Sequence, residues 1–210
     1  MSSNTDSSEA PTHAGGPLQH PHPTITRSAI VPPVSSLQRD EVRNCRLLRW
    51  LLDPLSPHGM GTQFLRAFLA RVATLSSELV TFPRAETATV VIEETRTDPH
   101  SGQLARADLL IYGPGTPNPE WTVLIEAKID AGEQYDQGAR LQGAWESDEP
   151  TRVFLTTSGA RMVTGDENWL PVRWVDVAND LRSALRDSDS TAPGHAVAVE
   201  YLRSLETHLP

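Results

Sequence analysis

The chain has 210 residues, 38% of them apolar, and its 18 basic and 27 acidic residues give a formal net charge of −9. The length favours one domain with enough apolar material for a core. The negative charge excludes a global electrostatic footprint for nucleic acid, so any such binding would need a local basic surface or metal ions. The single cysteine, Cys45, excludes an intramolecular disulfide and a cysteine-based metal cluster.

The N-terminal part differs in composition from the rest. Residues 1–36 are rich in Ser, Thr, Pro, Gly and His without apolar periodicity, which predicts a disordered leader. We expect a single domain over residues 37–210. The sequence shows neither a membrane-spanning run nor a signal-peptide pattern, so the expected location is the cytoplasm.

The hydrophobic periodicity then predicts an alternation of helices and strands. Helices are predicted over 39–52, where Asp53-Pro54 ends the first one, and after the turn 56–61. Further along, strands are predicted over 87–97, 105–112 and 121–129, a helix within 132–146, strands over 151–157 and 172–177, and helices near 178–187 and 195–208. The order ααβββαββαα predicts an α/β domain, a mixed sheet flanked by helices.

Lys128 is the only lysine beside seventeen arginines. An arginine stays charged, whereas the pKa of a lysine moves when the ammonium is buried or paired. Residues i and i+2 of a strand share a face, so Glu126 and Lys128 should project together. A carboxylate that holds a metal ion beside an amine that orients or deprotonates water suits metal-assisted hydrolysis.

Acids on the three central strands fall into register. Residues facing each other in a hairpin lie at equal distances from the middle of its turn. The turn 113–120 places Glu126 opposite Asp108 to within one residue, and the turn 98–103 places Glu93 opposite Asp108. Three carboxylates at one level would repel each other unless they bound a cation, and hard oxygen ligands suit Mg²⁺ or Mn²⁺ better than Zn²⁺. A slip of one residue would send alternate acids to opposite, solvated faces instead.

Asp108 followed on the next strand by Glu126-Ala127-Lys128 resembles the signature of the PD-(D/E)XK nuclease superfamily, with Ala107 where a proline often precedes the acid. The flanking sequence resembles a largely uncharacterised bacterial branch in Glu41, Leu51-Leu52-Asp53-Pro54, His58-Gly59 and the Gln-bearing segment 128–137. Leu141 replaces a tyrosine common in that branch. The resemblance covers roughly residues 38–180 and implies a restriction-endonuclease-like core with the catalytic hairpin behind an N-terminal helix.

The resemblance implies a metal-dependent nuclease. The residues that it implies as catalytic are Asp108, Glu126, Lys128, Glu41 and Gln137. Asp108, Glu126 and the carbonyl of Ala127 would hold Mg²⁺ or Mn²⁺, and the register adds Glu93 as a further ligand. Lys128 would position the attacking water, Glu41 would be an auxiliary acid and Gln137 a polar contact.

A basic stripe on the first helix is the predicted substrate contact. Arg39, Arg43 and Arg46 are spaced i, i+4 and i+7, so they share one side of the helix. We expect them to hold substrate phosphates, with a solvated helix face as the alternative. The expected partner is nucleic acid, DNA rather than RNA, and a homodimer or a partner protein stays open.

Two other interpretations stay open. The same fold could be catalytically silent and serve as a binding or assembly module, which the negative charge favours. An unrelated α/β domain could also carry Glu126 and Lys128 as a solvated surface pair. His58 has no chemical role in the nuclease scheme, and we expect it to cap the second helix or to contact substrate.

Overall fold

The computed structural model of the chain describes residues 40–115 and 117–209, so the predicted leader over residues 1–36 and Arg39 lie outside it. The described elements are α1 Glu41–Leu52, α2 Gln63–Leu75, β1 Thr89–Thr97, β2 Leu104–Tyr112, β3 Thr122–Ala127, α3 Gln137–Ala144, β4 Thr151–Thr156, β5 Leu170–Arg173, α4 Trp174–Arg186 and α5 His195–His208. They follow the predicted order, with 3₁₀ turns added at Ala85–Thr87 and Glu146–Asp148. None of the helices in these two segments combines the length and apolar character needed to cross a membrane.

The five strands form one mixed sheet in the order β1-β2-β3-β4-β5. β1, β2 and β3 are antiparallel neighbours, whereas β4 runs parallel to β3 and β5 parallel to β4. Every residue of β3 is buried, as expected of a central strand covered on both faces. This α/β architecture is consistent with the predicted restriction-endonuclease-like fold.

Helices cover both faces of the sheet. Apolar side chains of α1, α2, α4 and α5 form the larger core, in which Leu48, Phe64 and Leu181 are fully buried. On the other face α3 contributes Leu141 to a smaller core, which Trp145 completes from just beyond the helix. Each large apolar side chain contributes about 1.5–3 kcal/mol when buried, so packing fixes both faces of the sheet.

Side-chain alternation shifts by one residue at the level of the predicted acids. In β2, Ala107 faces the smaller core, yet Leu109, two residues further, faces the larger one. The flanking pairs of the β1–β2 ladder place Glu93 opposite Asp108, as predicted, and Glu93 has a positive φ of 54°. A non-glycine residue with positive φ is uncommon and re-aims the strand locally. Asp108 lies at this shift, so the direction of its side chain does not follow from the alternation of β2.

One predicted strand is wrong at its C-terminal end. The strand expected over 172–177 is β5, and α4 begins at Trp174 instead of near residue 178. Apolar residues in this stretch fit both a period of two and a helical period. The helix prevails because the carboxylate of Asp176 accepts a hydrogen bond from the backbone N–H of Arg173 at 3.2 Å, which fixes the helix N-terminus.

The helix predicted within 132–146 is shorter than expected. It is limited to α3, and Asp136, immediately before it, takes a positive φ of 51°. A left-handed residue cannot continue a right-handed helix toward the N-terminus, so the preceding residues form turns.

His58 is fully buried in the connection between α1 and α2. Its Nδ1 accepts from the backbone N–H of Met60 at 3.1 Å, so Nε2 carries the proton and donates to the carbonyl of Asp53, also at 3.1 Å. Burial lowers the pKa of His58, against the opposing effect of Asp53, and the ring stays neutral. The predicted cap is wrong because Thr62 occupies the N-cap of α2, and burial excludes a substrate contact. The ring fastens the end of α1 to the following turn.

Candidate active site

The predicted acids meet where β2 and β3 separate. The ladder between these strands ends at the pair Leu109–Ile125, one residue short of Asp108 and Glu126. The backbone N–H of Ala127 donates instead to Oδ2 of Asp108, at 2.9 Å. The carboxylate of Asp108 therefore lies in the gap between the strands, beside the end of β3.

Lys128 lies one residue past β3 and is buried with Glu126. Its Nζ lies 2.5 Å from Oε1 of Glu126 and 3.5 Å from Oε1 of Glu41, which belongs to the first turn of α1. The side-chain amide of Gln137, at the start of α3, donates to the same Oε1 of Glu126 at 2.5 Å. Glu126 is 0% exposed and Lys128 6% exposed, which contradicts the interpretation as a solvated surface pair.

The backbone of Lys128 is held from both sides. Its N–H donates to the carbonyl of Leu155 in β4 at 2.8 Å. Its carbonyl accepts from the indole N–H of Trp174, the first residue of α4, at 3.1 Å. Both contacts are buried, so the main chain that carries the ammonium is fixed by elements far along the sequence.

Charge is unbalanced in this cluster. Burial and the nearby Asp108 raise the pKa of Glu126 to about 8, because they outweigh the attraction of Lys128. Burial also raises the pKa of Glu41, with Asp108 adding to the rise and Lys128 opposing it. Burial works to lower the pKa of Lys128, but the combined attraction of Glu126, Glu41 and Asp108 is stronger and raises it. The lysine is therefore held as an ammonium, while the acids lack enough positive partners.

The donor set fits a hard divalent cation. Oε2 of Glu126 is buried and has no hydrogen-bond partner among the described residues, whereas Oε1 receives two donors. A buried carboxylate oxygen in this state is costly until a proton or a cation satisfies it. Carboxylate and carbonyl oxygens are the ligands that Mg²⁺ and Mn²⁺ prefer. Asp108, Glu126 and the carbonyl of Ala127 are the groups that would hold such an ion.

A larger preformed ligand set is not present in the described segments. Within residues 40–115 and 117–209, no group of three or more His, Cys, Asp or Glu side chains is arranged to hold a metal ion. Two side-chain carboxylates and one backbone carbonyl are therefore the set to be tested.

The cluster opens into a cleft of about 260 Å³. The cleft is lined by Glu41, Asp108, Lys128 and Gln137 together with two arginines, Arg106 and Arg140. The buried cluster is therefore reachable from outside through a polar cleft.

Glu93 lies beside two arginines, and it lines a small pocket of about 30 Å³ together with Glu41 and Asp108. Its carboxylate lies 3.6 Å from the guanidinium of Arg46 and 3.7 Å from that of Arg106. Its role as a metal ligand stays a prediction. Arg43 pairs with Asp40, and the side chains of Arg43 and Arg46 are 51% and 58% exposed and do not line the cleft. Their contact with substrate also stays a prediction.

Sequence reasoning missed Arg106, Arg140 and Trp174. Arg106 stands two residues before Asp108 in β2, and Arg140 stands three residues after Gln137 in α3. Such spacings bring side chains together on strands and helices, so a signal for the two arginines was present. Trp174 gave no local signal, because its bond to Lys128 joins residues 46 positions apart.

The sheet lies between helices, Asp108 stands where β2 diverges from β3, and the buried Glu126 and Lys128 lie at the end of β3. Together these features define a restriction-endonuclease-like fold. A family model of the PD-(D/E)XK nuclease superfamily matches residues 34–163, which include the whole acid–lysine cluster. The chain belongs to this superfamily. Its members are generally phosphodiesterase nucleases that use divalent metals, which suggests a nuclease-type function and a nucleic-acid substrate. No curated protein and no solved structure gave a significant match.

Proposed function

We propose that the chain is a metal-dependent nuclease that hydrolyses phosphodiester bonds, in DNA rather than RNA, with Mg²⁺ or Mn²⁺ as cofactor. The observation that carries this proposal is the buried Oε2 of Glu126, which lies unpartnered among the described residues beside Asp108 and Lys128. Within the described part of the chain, Oε2 of Glu94, in the buried ion pair with Arg96, is unpartnered too, so the distinguishing feature of Glu126 is its position beside a second carboxylate, Asp108, at the cleft.

The chain's own residues would divide the work as follows. Lys128 and Gln137 both bind Oε1 of Glu126, which leaves Oε2 for a cation that Asp108 and the carbonyl of Ala127 would also hold. A bound divalent cation would supply Lewis-acid activation of water and neutralise charge on the scissile phosphate.

Lys128 would orient the reacting groups. Its Nζ carries a proton, because Glu126, Glu41 and Asp108 stabilise the ammonium. It can therefore donate hydrogen bonds to the attacking water or to a phosphate oxygen in the cleft. Glu41, 3.5 Å from the same Nζ, would keep the ammonium in place and offer a second acceptor at the cleft.

The finer assignments are predictions of the same proposal. They comprise the preference for DNA, a cytoplasmic location, a single domain over residues 37–210 and the involvement of a homodimer or a partner protein. The catalytically silent module is the second candidate, and the net charge of −9 favours it, because a free-standing nuclease must hold a polyanion.

One experiment separates the two candidates. The full chain is incubated with circular DNA, linear DNA and RNA, with Mg²⁺, with Mn²⁺ and with a chelator, and its thermal midpoint is measured in the same buffers. The nuclease proposal expects cleavage that the chelator abolishes and a rise of the midpoint with Mg²⁺, because a ligand of the native state must stabilise it. A midpoint unchanged at millimolar Mg²⁺ together with no cleavage of any substrate would support the silent module.

A further inference from the structure

Two arginines in the cleft have no part in the chemistry proposed above. Arg106 of β2 and Arg140 of α3 line the cleft beside Asp108, Lys128 and Gln137. We propose that they bind the phosphates that flank the cleaved phosphodiester in a nucleic-acid strand. This inference rests on the proposed function and deepens it, because it places substrate binding in the cleft instead of on the α1 stripe.

The two arginines reach the cleft from opposite faces of the sheet. Ala105 and Ala107 pack into the smaller core, so Arg106 between them projects to the face covered by α1. Arg140 belongs to α3, which packs on the face of the smaller core through Leu141. Both guanidinium groups line one cleft because β2 and β3 separate there. A nucleic-acid strand lying in the cleft would therefore meet one arginine from each face of the sheet.

Both side chains are available to a ligand. No ion pair or side-chain hydrogen bond joins Arg140 to another residue of segments 40–115 and 117–209. Arg106 is 60% exposed, and its ion pair with Glu93 spans 3.7 Å, longer than a hydrogen bond. By contrast, Arg71 donates twice to Asp180, at 2.6 and 2.7 Å. Other protein groups therefore hold Arg106 and Arg140 less tightly than they hold Arg71.

The cleft is more basic than the chain around it. The chain carries a net charge of −9, whereas the three basic side chains of the cleft lining, Arg106, Lys128 and Arg140, are matched by three acids, Glu41, Asp108 and the Glu126 that pairs with Lys128. A polyanion is repelled by most of an acidic surface and is attracted where cationic groups gather in a concave site. Arg106 and Arg140 are cationic groups of the cleft that the acid–lysine cluster does not itself bind, so they mark the place where a phosphate backbone would lie.

The guanidinium groups of Arg106 and Arg140 are suited to binding the phosphates of a nucleic-acid strand. A guanidinium presents N–H groups in a planar fork that matches two phosphate oxygens, and it stays charged at any working pH. Lys128 cannot take this role because its ammonium is bound to Glu126 at 2.5 Å. Two separate arginines fit successive phosphates of one strand better than a single free anion, so an oligonucleotide should bind better than inorganic phosphate.

The test measures binding by the full chain in the absence of divalent cations, so that no cleavage occurs. The probes are a labelled single-stranded deoxyoligonucleotide, its duplex, inorganic phosphate, and the same oligonucleotide with uncharged methylphosphonate linkages. Wild type is compared with Arg106→Gln, Arg140→Gln and Arg140→Lys. Arg203→Gln is the matched control, because Arg203 is 70% exposed on α5 and does not line the cleft.

We expect each glutamine variant to weaken binding of the charged oligonucleotide roughly tenfold, the loss of one charge-assisted contact. The salt dependence should become shallower by about 0.7 units per arginine for a single strand, because fewer counterions are released. Arg140→Lys should fall between wild type and Arg140→Gln. Arg203→Gln should match wild type, and the uncharged oligonucleotide should not distinguish the proteins.

Three results would overturn the inference: no oligonucleotide binding by wild type, glutamine variants that bind like Arg203→Gln, or inorganic phosphate bound as well as the oligonucleotide. The Mg²⁺-induced shift of the thermal midpoint is measured on every variant and should stay at the wild-type value. If wild type shows no Mg²⁺-induced shift, only the proposed metal site is contradicted. If the arginine variants bind the oligonucleotide like wild type, only this inference is contradicted. Unchanged thermal midpoints show that the variants are folded.

Discussion

Two buried cations on the same sheet are surrounded in different ways. Arg96 of β1 donates to Glu94 at 2.9 Å and to Asp148 and the hydroxyl of Tyr112 at 3.0 Å each. Its guanidinium also lies 5.0 Å from the centre of the Trp145 ring. Protein groups thus occupy three donor positions and one face of this cation, and it lies in the smaller core, away from the cleft.

Lys128 is less completely satisfied. Three acids attract its ammonium, but only Glu126 lies within hydrogen-bond distance, and the cleft opens beside it. A planar guanidinium fixes several partners at once, whereas an ammonium is a compact charge that can be shared with a ligand. The arginine network is closed in the sense that its partners are protein groups away from the cleft, although Oε2 of Glu94 is unpartnered too within segments 40–115 and 117–209. The lysine cluster is open to the cleft, in which the proposed ion and substrate would bind.

The largest expected effect breaks the open cluster. Asp108→Ala and Glu126→Ala should each lower metal-dependent cleavage by roughly 1,000-fold, because a divalent ion contributes several kcal/mol to the transition state. Each variant relieves repulsion between the acids. However, Asp108→Ala leaves the backbone N–H of Ala127 without its acceptor and Glu126→Ala leaves the buried ammonium of Lys128 without its nearest one, so the stability of each variant is measured without metal. Turnover rates and thermal midpoints measure both effects. Glu200→Ala, at an exposed position of α5, is the control, and cleavage by Asp108→Ala at the wild-type rate would contradict the site.

The second prediction tests why the cation of the open cluster is a lysine. Lys128→Arg should lose activity as severely as Lys128→Ala, by about 100-fold or more, although it keeps the charge. A guanidinium is too large for a buried site where Nζ lies 2.5 Å from Glu126. Turnover of the three proteins on one cleavable substrate decides the matter. An arginine variant with near wild-type turnover would reduce Lys128 to an ordinary ion-pair partner.

The third prediction breaks the closed network. Arg96→Met should lower the free energy of unfolding by about 3–5 kcal/mol, because Glu94 and Asp148 would then lack their buried partner. Lys128→Met should cost less, since the raised pKa of Glu126 lets this acid take up a proton instead. Denaturant unfolding measures both. The Mg²⁺-induced shift should survive in Arg96→Met, and equal losses in the two variants would erase the contrast between the clusters.

The smallest expected effect concerns pH. The pKa of Glu126 is raised to about 8 from an ordinary 4.5, so its contribution to stability is present below pH 4.5 and is lost as the pH rises through 8. Relative to Glu126→Gln, wild type without metal should therefore lose roughly 3 °C or more of thermal midpoint between pH 5 and 9, the change that about 1 kcal/mol produces. Parallel curves for the two proteins would contradict the raised pKa.

The same pH series sharpens the assignment of the metal site. A carboxylate must lose its proton before it binds a cation, so the Mg²⁺-induced shift of wild type should grow over the interval in which Glu126 ionises. In Glu126→Gln this growth should be much weaker. A shift that does not depend on pH would place the bound ion away from Glu126.

The part of the site that could be predicted is the part fixed by short turns. Hairpin register follows from the position of a turn, and both predicted oppositions, Glu93 with Asp108 and Asp108 with Glu126, agree with the ladders. Helix and strand order also followed from periodicity. These features depend on residues close together in the sequence, so the pattern alone contains them.

What could not be predicted depends on side-chain direction and on distant contacts. The positive φ of Glu93 turns its carboxylate toward Arg46 and Arg106, which no periodicity indicates. His58 was expected to cap a helix or to contact substrate. The sequence could not indicate its burial against Trp50, because that contact arises only after α1 and α2 pack. Tertiary packing, not local pattern, decides such positions.

The bond from Trp174 to the carbonyl of Lys128 bears on how the protein can be shortened. The family match ends at residue 163, whereas Trp174 and β5, which pairs with β4, lie beyond it. A fragment cut at that boundary would expose the edge of β4 and remove one of the two hydrogen bonds that hold the main chain of Lys128. The smallest fragment able to hold Asp108, Glu126 and Lys128 in place therefore extends at least through the start of α4, beyond the residues that match the family.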